Sequence, residues 1–447
     1  MDRFTVDFSR RDGRIKPLHS VNNGPTEARC YDNSSFFTEA GIPFARLHDS
    51  AFYSLYGGEH TVDVLNIFHN WDADVDDPDA YDFDLTDEYL QSILRTGTQV
   101  FYRLGSKIEH ESKKYQTKVP KDYLKWAQIC EHIIRHVNEG WANGHHMNIQ
   151  YWEIWNEPDC RNKDGSNPCW QGTPEQFNDF FYVVLKHLKT NFPDLKIGGP
   201  SFCFPDNRFD GMARFLDHIS KGKEKLPLDF FSFHNYTGNP NTFPPIIEGI
   251  RKLVTDHGYP DAELILNEWN YVRAWVPGSE VAYSYAQIRG IKGASFIAAT
   301  QSLCQKTALD HLMYYDARPC AFNGLFEIGT NNPYKGSYIM RVFGDLYRMD
   351  YCASSSFEGD VYGVAAGSKG EGALMLTRFT ESDDTPVGNV DISLSGLPDN
   401  CEINFFLLDN DNDLTLFRTD RVSGGRLETF MPMKVFDTIK ITVKSLD

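Results

Sequence analysis

The sequence predicts a (β/α)₈ barrel, the TIM-barrel architecture, followed by a C-terminal β-sandwich, and three patterns carry that reading. Eight strand-like apolar runs, near residues 15, 44, 99, 150, 196, 230, 264 and 312, alternate with helical patterns. Alternation of this kind builds a parallel sheet with crossover helices, and eight repeats close it into a barrel. Two of the runs end alike, Gln150-Tyr151-Trp152-Glu153-Ile154-Trp155-Asn156-Glu157-Pro158 and Leu264-Ile265-Leu266-Asn267-Glu268-Trp269-Asn270, each delivering a glutamate at its polar end. Beyond Asp350 the period changes to two, with turn signals and no helical stretch. The expected division is an N-terminal strand at 1–14 that joins the sandwich, a barrel at 15–345 and a sandwich at 346–447.

Taken in order, Phe4, Val6 and Phe8 alternate with polar residues as in a half-buried strand, and Ile15 to His19 reads as the first barrel strand. Ser34 to Ala40 reads as a short helix stopped by Gly41, ahead of a strand ending in Arg46-Leu47-His48-Asp49. A helix is expected from Leu85 with Thr86 as its N-cap, ending at Gly97, and another from Pro120 to Gly140. Thr173-Pro174-Glu175-Gln176 is a capping box with proline in the first turn. Helices near 208–220, 245–257 and 280–300 separate the remaining strands. In the C-terminal part, strands are expected at 361–365, 373–379, 390–394, 401–408, 414–417 and 439–443, punctuated by Gly370-Glu371-Gly372, Pro398-Asp399-Asn400 and Gly424-Gly425.

Composition narrows the function. With 447 residues and 41 % apolar content the chain is globular, and its 14 % aromatics suit both core packing and stacking on sugar rings. A formal charge of −18 repels phosphate backbones and anionic membranes, so no nucleic-acid or membrane partner is expected. No run of 18 apolar residues occurs and the start lacks the apolar core of a signal peptide, which reads as cytoplasmic unless a leader has been removed. The nine cysteines lack a C-x-x-C pair. Cys160 and Cys169, flanking a polar loop, are the two placed to close a bridge, which would mark an exported protein. The acidic run Asp72-x-Asp74-x-Asp76-Asp77 lacks the glycine and glutamate of an EF-hand, and no metal or cofactor is expected.

Two glutamates at strand ends are the parts list of a glycosidase: one carboxyl protonates the leaving oxygen and one carboxylate meets the emerging cation. Asn156 and Glu157 cannot both point inward under strict strand alternation, so the backbone must twist or bulge there.

These residues carry a specific resemblance. Trp152-Glu153-Ile154-Trp155-Asn156-Glu157-Pro158 with Asn267-Glu268-Trp269-Asn270 resembles glycoside hydrolase family 39 of clan A, a family of β-xylosidases and α-L-iduronidases, over residues 15–345 and more loosely the terminal sandwich. The resemblance implies a retaining double displacement with Glu157 as acid/base and Glu268 as nucleophile, and Asn156 on the sugar 2-hydroxyl. By position, Arg46 is expected to pin the nucleophile carboxylate by a bidentate contact, His48 and His234 to touch sugar hydroxyls, and Tyr236 to bond Glu268. Trp269 and Asp316 are further candidates for substrate contact.

The uronate-cleaving members need a cation near the sixth strand; here the run is His234-Asn235-Tyr236-Thr237. A small neutral glycoside, β-xyloside-like and cut at its terminus, is therefore the expected substrate. Arabinose-, galactose- and uronate-releasing activities stay open, because the loop from Ser50 to Tyr81 follows no assignable pattern and such loops decide the substrate. The competing reading of another class is an inactive carbohydrate-binding protein on the same scaffold, which the two intact glutamates oppose.

Overall fold

The computed structural model describes residues 2–28, 31–51, 60–108, 113–203, 209–318, 320–327 and 329–447. Eight parallel strands close a barrel in chain order: Ser20–Asn22, Phe44–Arg46, Gln99–Leu104, Tyr151–Ile154, Lys196–Phe202, Phe230–Thr237, Glu263–Tyr271 and His311–Tyr314. The first lies later than expected. Ile15 and Leu18 pack in the core beside it, and the pairing to Phe44–Arg46 runs through Val21 and Asn22.

Several helix boundaries move for local reasons. The helix expected to be capped by Thr86 spans Asp84–Arg95, and the buried Thr86 hydroxyl donates to the Thr61 carbonyl at 2.5 Å instead of capping. The next spans Tyr123–Glu139, because the Asp122 carboxylate accepts from the Lys125 amide and outcompetes Pro120 as the start signal. The Thr173 capping box opens Pro174–Asn191 as expected. The stretch near 280–300 is two helices, Ser279–Ile288 and Ile291–Cys304, broken at Gly290. The helix expected near 208–220 spans Phe209–Lys221, with residue 208 outside the described residues. Residues 52–59 of the unassigned loop also lie outside them. No helix among the described residues is long and apolar enough to cross a membrane.

The second region is a nine-stranded, mostly antiparallel sheet. The strand Asp2–Arg11 pairs antiparallel with Tyr351–Glu358 and parallel with Gly388–Ser395. Its Phe4, Val6 and Phe8 join Ile392, Leu394, Ile403 and Ile441 in one apolar core, which is why the strand alternates. The strands Tyr351–Glu358 and Arg426–Met433 were not marked by the sequence pattern. Toward the barrel, Tyr362, Val364 and Met375 merge with the main core. The helix Ile291–Cys304 reaches the sheet through Ser295, bonded to the Thr377 hydroxyl, and through the buried Lys292, whose Nζ donates to Asp383 at 2.7 Å.

One buried carboxyl in this sheet works against folding at neutral pH. Asp437 is 7 % exposed; burial, together with Asp409 nearby, raises it from 3.8 to about 6 despite the bond it accepts from the Lys434 amide. A raised carboxyl favours the protonated folded state, so its contribution falls as pH rises from about 4 through about 6 and stays unfavourable above. Asp437→Asn keeps the acceptor and removes the charge. Its melting temperature should exceed that of the parent chain by about 1–2 °C at pH 7.5 and match it at pH 4, a difference that scanning fluorimetry at the two pH values reads directly.

Candidate active site

Inside the barrel the side chains stack in layers. The floor is apolar: Phe101, Tyr151, Phe230, Ile265 and Met313 form one cluster. Two residues along each strand, the next inward positions are polar, and Glu153 is their hub. Its Oε2 accepts from Arg46 Nε at 2.7 Å, and its Oε1 accepts from Ser201 Oγ, Ser232 Oγ and Asn267 Nδ2, each at 2.6 Å. The carboxylate is fully buried with these donors around it, as a buried charge requires.

Above this layer the backbone breaks strand geometry twice, each time to aim two successive residues inward. After Ile154 the fourth strand stops, and Trp155 (φ 73°) and Glu157 (φ 49°) adopt left-handed conformations. The Trp155 ring then packs outward on Trp126, Trp170 and Phe180, while Asn156 and Glu157 both face the barrel mouth. The expected irregularity is there, made by a strand end rather than a bulge within the strand. On the seventh strand the register to its neighbour slips between Leu266 and Glu268, a β-bulge at Asn267. Asn267 thus reaches Glu153 and Glu268 reaches the mouth.

The two glutamates meet. One carboxylate oxygen of Glu157, one of Glu268 and a ring nitrogen of His234 all lie within 4.8 Å of one another. His234 Nδ1 stands between them, 2.8 Å from Glu157 Oε1 and 3.4 Å from Glu268 Oε2. Glu268 is the deeper, with its side chain 6 % exposed against 19 % for Glu157. It accepts from Arg46 Nη1 at 2.8 Å and Tyr236 Oη at 2.9 Å, and His48 Nε2 lies 3.2 Å away. Burial alone would raise the Glu268 carboxyl. His234, His48 and Arg46 outweigh that and hold it far below the usual carboxylate range. Because burial drives His234 itself down to about 3, its ring is neutral at working pH; the lasting charge on Glu268's side is Arg46.

These environments differ as the chemistry of two cooperating carboxyls demands. Glu268 is anchored and ionised, suited to nucleophilic attack, whereas Glu157 is more open and contacts a neutral imidazole that can donate to its ionised form or accept from its protonated form.

Residues 43–252 match the family model described as glycosyl hydrolases family 39. A curated β-xylosidase from Geobacillus stearothermophilus is 24 % identical over 238 residues and one from Caldicellulosiruptor saccharolyticus 25 % over 256, covering 46 % and 52 % of this chain. The matches span a little under half of those relatives' own lengths, 44 % and 46 %. The match to the family 39 model covers a little under half of the chain and includes the Asn156-Glu157-Pro158 strand end. Among solved structures, a glucosidase from Croceicoccus marinus superposes with a TM-score of 0.81 at 19 % identity, over 100 % of this chain and 99 % of that one. A monomeric β-xylosidase from Caulobacter crescentus superposes at 0.70 and 14 % identity, over the full length of both. At these identities the likeness establishes the fold.

Within this site, several sequence expectations need correction. Arg46 does not clamp Glu268 bidentately: Nη1 alone reaches Glu268, while Nε binds Glu153 and Nη2 binds Asn156 Oδ1 at 2.5 Å. His48 and His234 are buried against the two carboxylates, His48 Nε2 3.2 Å from Glu268 and His234 Nδ1 2.8 Å from Glu157. Trp269 is fully buried outside the sheet against Phe243, Phe296 and Tyr314, since it is the outward neighbour of Glu268. Asp316 is fully buried and ties two loops together, accepting from Asn23 Nδ2 at 2.8 and 2.9 Å and from the Arg318 amide. Cys160 and Cys169 are free thiols. Tyr236 bonds Glu268 through its hydroxyl; Asn156 Nδ2 is buried with no partner among the described residues, a donor left for a ligand.

Two residues were not singled out from the sequence. Glu153 carries a legible signal, since period two along Tyr151–Ile154 puts it on the inward face with Tyr151. Trp275, 57 % exposed, contacts Tyr236 and Phe322 and so presents an aromatic face beside the mouth; it lies on a loop, where no period marks it. For Glu153→Gln, the new amide hydrogens face donors whichever way the group turns, Arg46 Nε on one side or Ser201, Ser232 and Asn267 on the other. We expect a loss of about 2–4 kcal/mol of stability and a fall of about 10–100-fold in kcat/KM as Arg46 and Asn267 lose their anchor, read by denaturant melts and steady-state kinetics on one preparation.

Proposed function

We propose that the protein is a retaining glycosidase releasing a terminal neutral sugar from a small glycoside, β-xyloside first, by double displacement. The observation that carries the reading is the approach of Glu157 and Glu268 to within 4.8 Å. Retaining enzymes hold their carboxyls about 5–5.5 Å apart, whereas inverting ones leave about 6.5–9.5 Å for a water.

In the first step the Glu268 carboxylate attacks the anomeric carbon as Glu157 protonates the departing oxygen, leaving a glycosyl ester on Glu268 and a neutral leaving group. In the second, Glu157 takes a proton from water, whose oxygen attacks the same carbon and returns Glu268 as carboxylate. Asn156 Nδ2 supplies a hydrogen bond to the adjacent hydroxyl, one that strengthens as charge builds.

A neutral sugar is favoured by the state of the buried guanidiniums that touch the site. Arg46 is engaged by Glu153 and Glu268, and Arg103 by Asp49 and Asp63. Neither is available to a uronate without leaving a buried carboxylate behind. The curated relatives are β-xylosidases, and the glucosidase of like fold makes β-glucoside the second reading. Aryl β-xyloside, β-glucoside, β-galactoside, α-L-arabinoside and α-L-iduronide are the panel, with NMR of the first-formed anomer. β-Xyloside cleavage with the β-anomer first supports the proposal; release of the α-anomer from a β-glycoside, or binding without turnover across the panel, overturns it.

A further inference from the structure

Three cysteines surround the carboxyl assigned as acid/base, and the proposed reaction uses none of them. Cys160 follows Glu157 in a turn, its amide donating to the Glu157 carbonyl at 3.1 Å. Cys203 follows the fifth strand, its amide donating to Asp159 Oδ1 at 2.9 Å. Cys169 is returned to the site by the intervening loop, where Asn167 Oδ1 accepts from its amide at 2.8 Å and Asn167 Nδ2 donates to the Pro158 carbonyl at 2.6 Å. Separate backbone anchors thus bring three sulfurs to one carboxylate.

The side chains converge. Sulfurs of Cys160 and Cys203 and one oxygen of Glu157 lie within 4.8 Å of one another. Cys169 Sγ is 3.9 Å from Glu157 Oε2, and Cys160 is within side-chain hydrogen-bond reach of both Cys169 and Cys203. Four ligands around a zinc-class ion, with metal–sulfur bonds of about 2.3 Å, place their donor atoms roughly 3.5–3.8 Å apart. Cys160, Cys203 and Glu157 need to contract by about 1 Å to reach that geometry, and Cys169, which stands outside that group of three, must turn its side chain to join them. Cys169 is buried at 5 % exposure, while Cys160 and Cys203 are partly exposed, which leaves an entry path.

Two other clusters of potential ligands are already committed. Asp87 with His136 and His145 is already joined by imidazole–carboxylate bonds of 2.9–3.1 Å, and His136 is stacked on Phe83. Glu157, His234 and Glu268 are the proposed reaction centre itself.

We propose that Cys160, Cys169, Cys203 and Glu157 form a site for a thiophilic divalent cation of the zinc class, and that occupancy stops turnover by taking the acid/base carboxylate. Binding transfers thiol protons to solvent and makes the sulfurs and one Glu157 oxygen ligands. Glu157 is then held as a metal-bound carboxylate, with no proton to give and, its basicity lowered by the cation, little tendency to take one. The inhibitory half rests on the function proposed above; the binding half does not.

The test titrates the full-length chain, reduced and freed of metal, with its thiols counted beforehand, using Cd²⁺ as the spectroscopic probe and Zn²⁺ for activity. The expected result is a thiolate-to-metal ultraviolet band saturating at one Cd²⁺ per chain. Hydrolysis should fall about tenfold at a Zn²⁺ concentration ten times its Kd and return on chelation. Cys160→Ser/Cys203→Ser should keep the uninhibited turnover, lose most of the band and bind more than about 100-fold more weakly; Cys169→Ser alone should weaken binding less. Absence of the band, or a band unchanged in the double variant, overturns the site. A saturated band with hydrolysis undiminished overturns the inhibition. If no glycoside is turned over, the band still decides the site, which separates its failure from that of the proposed function.

Discussion

Replacing Glu268 by alanine is expected to lower kcat/KM by at least about 10⁴-fold for every leaving group, about 5 kcal/mol of barrier. The reason is specific to its setting. Glu268 is held ionised by Arg46, bonded by Tyr236 and nearly excluded from solvent, so no water can approach the same face with the same alignment. Removing it also leaves Arg46 with Glu153 as its one carboxylate among the described residues. Glu268→Gln, which retains the side-chain volume, therefore serves as the folding control by circular dichroism. Azide should restore turnover of an activated aryl glycoside in the alanine variant. Its product should be the glycosyl azide of configuration opposite to the substrate, because the anion enters from the vacated nucleophile face. A variant keeping more than about a tenth of the parent activity would refute the assignment.

Glu157→Ala should behave differently. Its loss is expected to reach about 10²–10⁴-fold on alkyl or sugar leaving groups, which need a proton, and to be much smaller on activated phenols, which leave without one. With activated substrates the glycosyl ester on Glu268 should accumulate and be visible by intact mass. Azide should speed its breakdown and give a glycosyl azide of the substrate's own configuration. The two variants thus yield opposite stereoisomers from one reagent. The same stereochemistry from both would mean that the roles of the two glutamates are wrongly assigned.

How far the sequence led depends on the range of the interaction involved. The Thr173 capping box and the Gly41 helix stop were readable because their partners lie within a few residues. Thr86 misled for the opposite reason: its hydroxyl is claimed by the carbonyl of Thr61, from a different segment of the chain. Asp122 likewise took the cap that Pro120 had suggested. At the site, Glu157 and Glu268 were legible as polar ends of apolar strands, and Glu153 was legible in principle from its inward phase. Trp269 was assigned the wrong side because the bulge at Asn267 shifts the phase of the strand, which an intact alternation does not reveal.

By itself the sequence determined the architecture of repeats, the position of two glutamates at strand ends and an acid-rich surface, all of which follow from local periodicity and composition. Only the tertiary structure decided which carboxylate is anchored, that Arg46 divides its donors among Glu153, Glu268 and Asn156, and that three cysteines gather beside Glu157. The physical reason is that desolvation and hydrogen bonding act through distance in space. Groups far apart along the chain share one small, water-poor volume only once the barrel has closed.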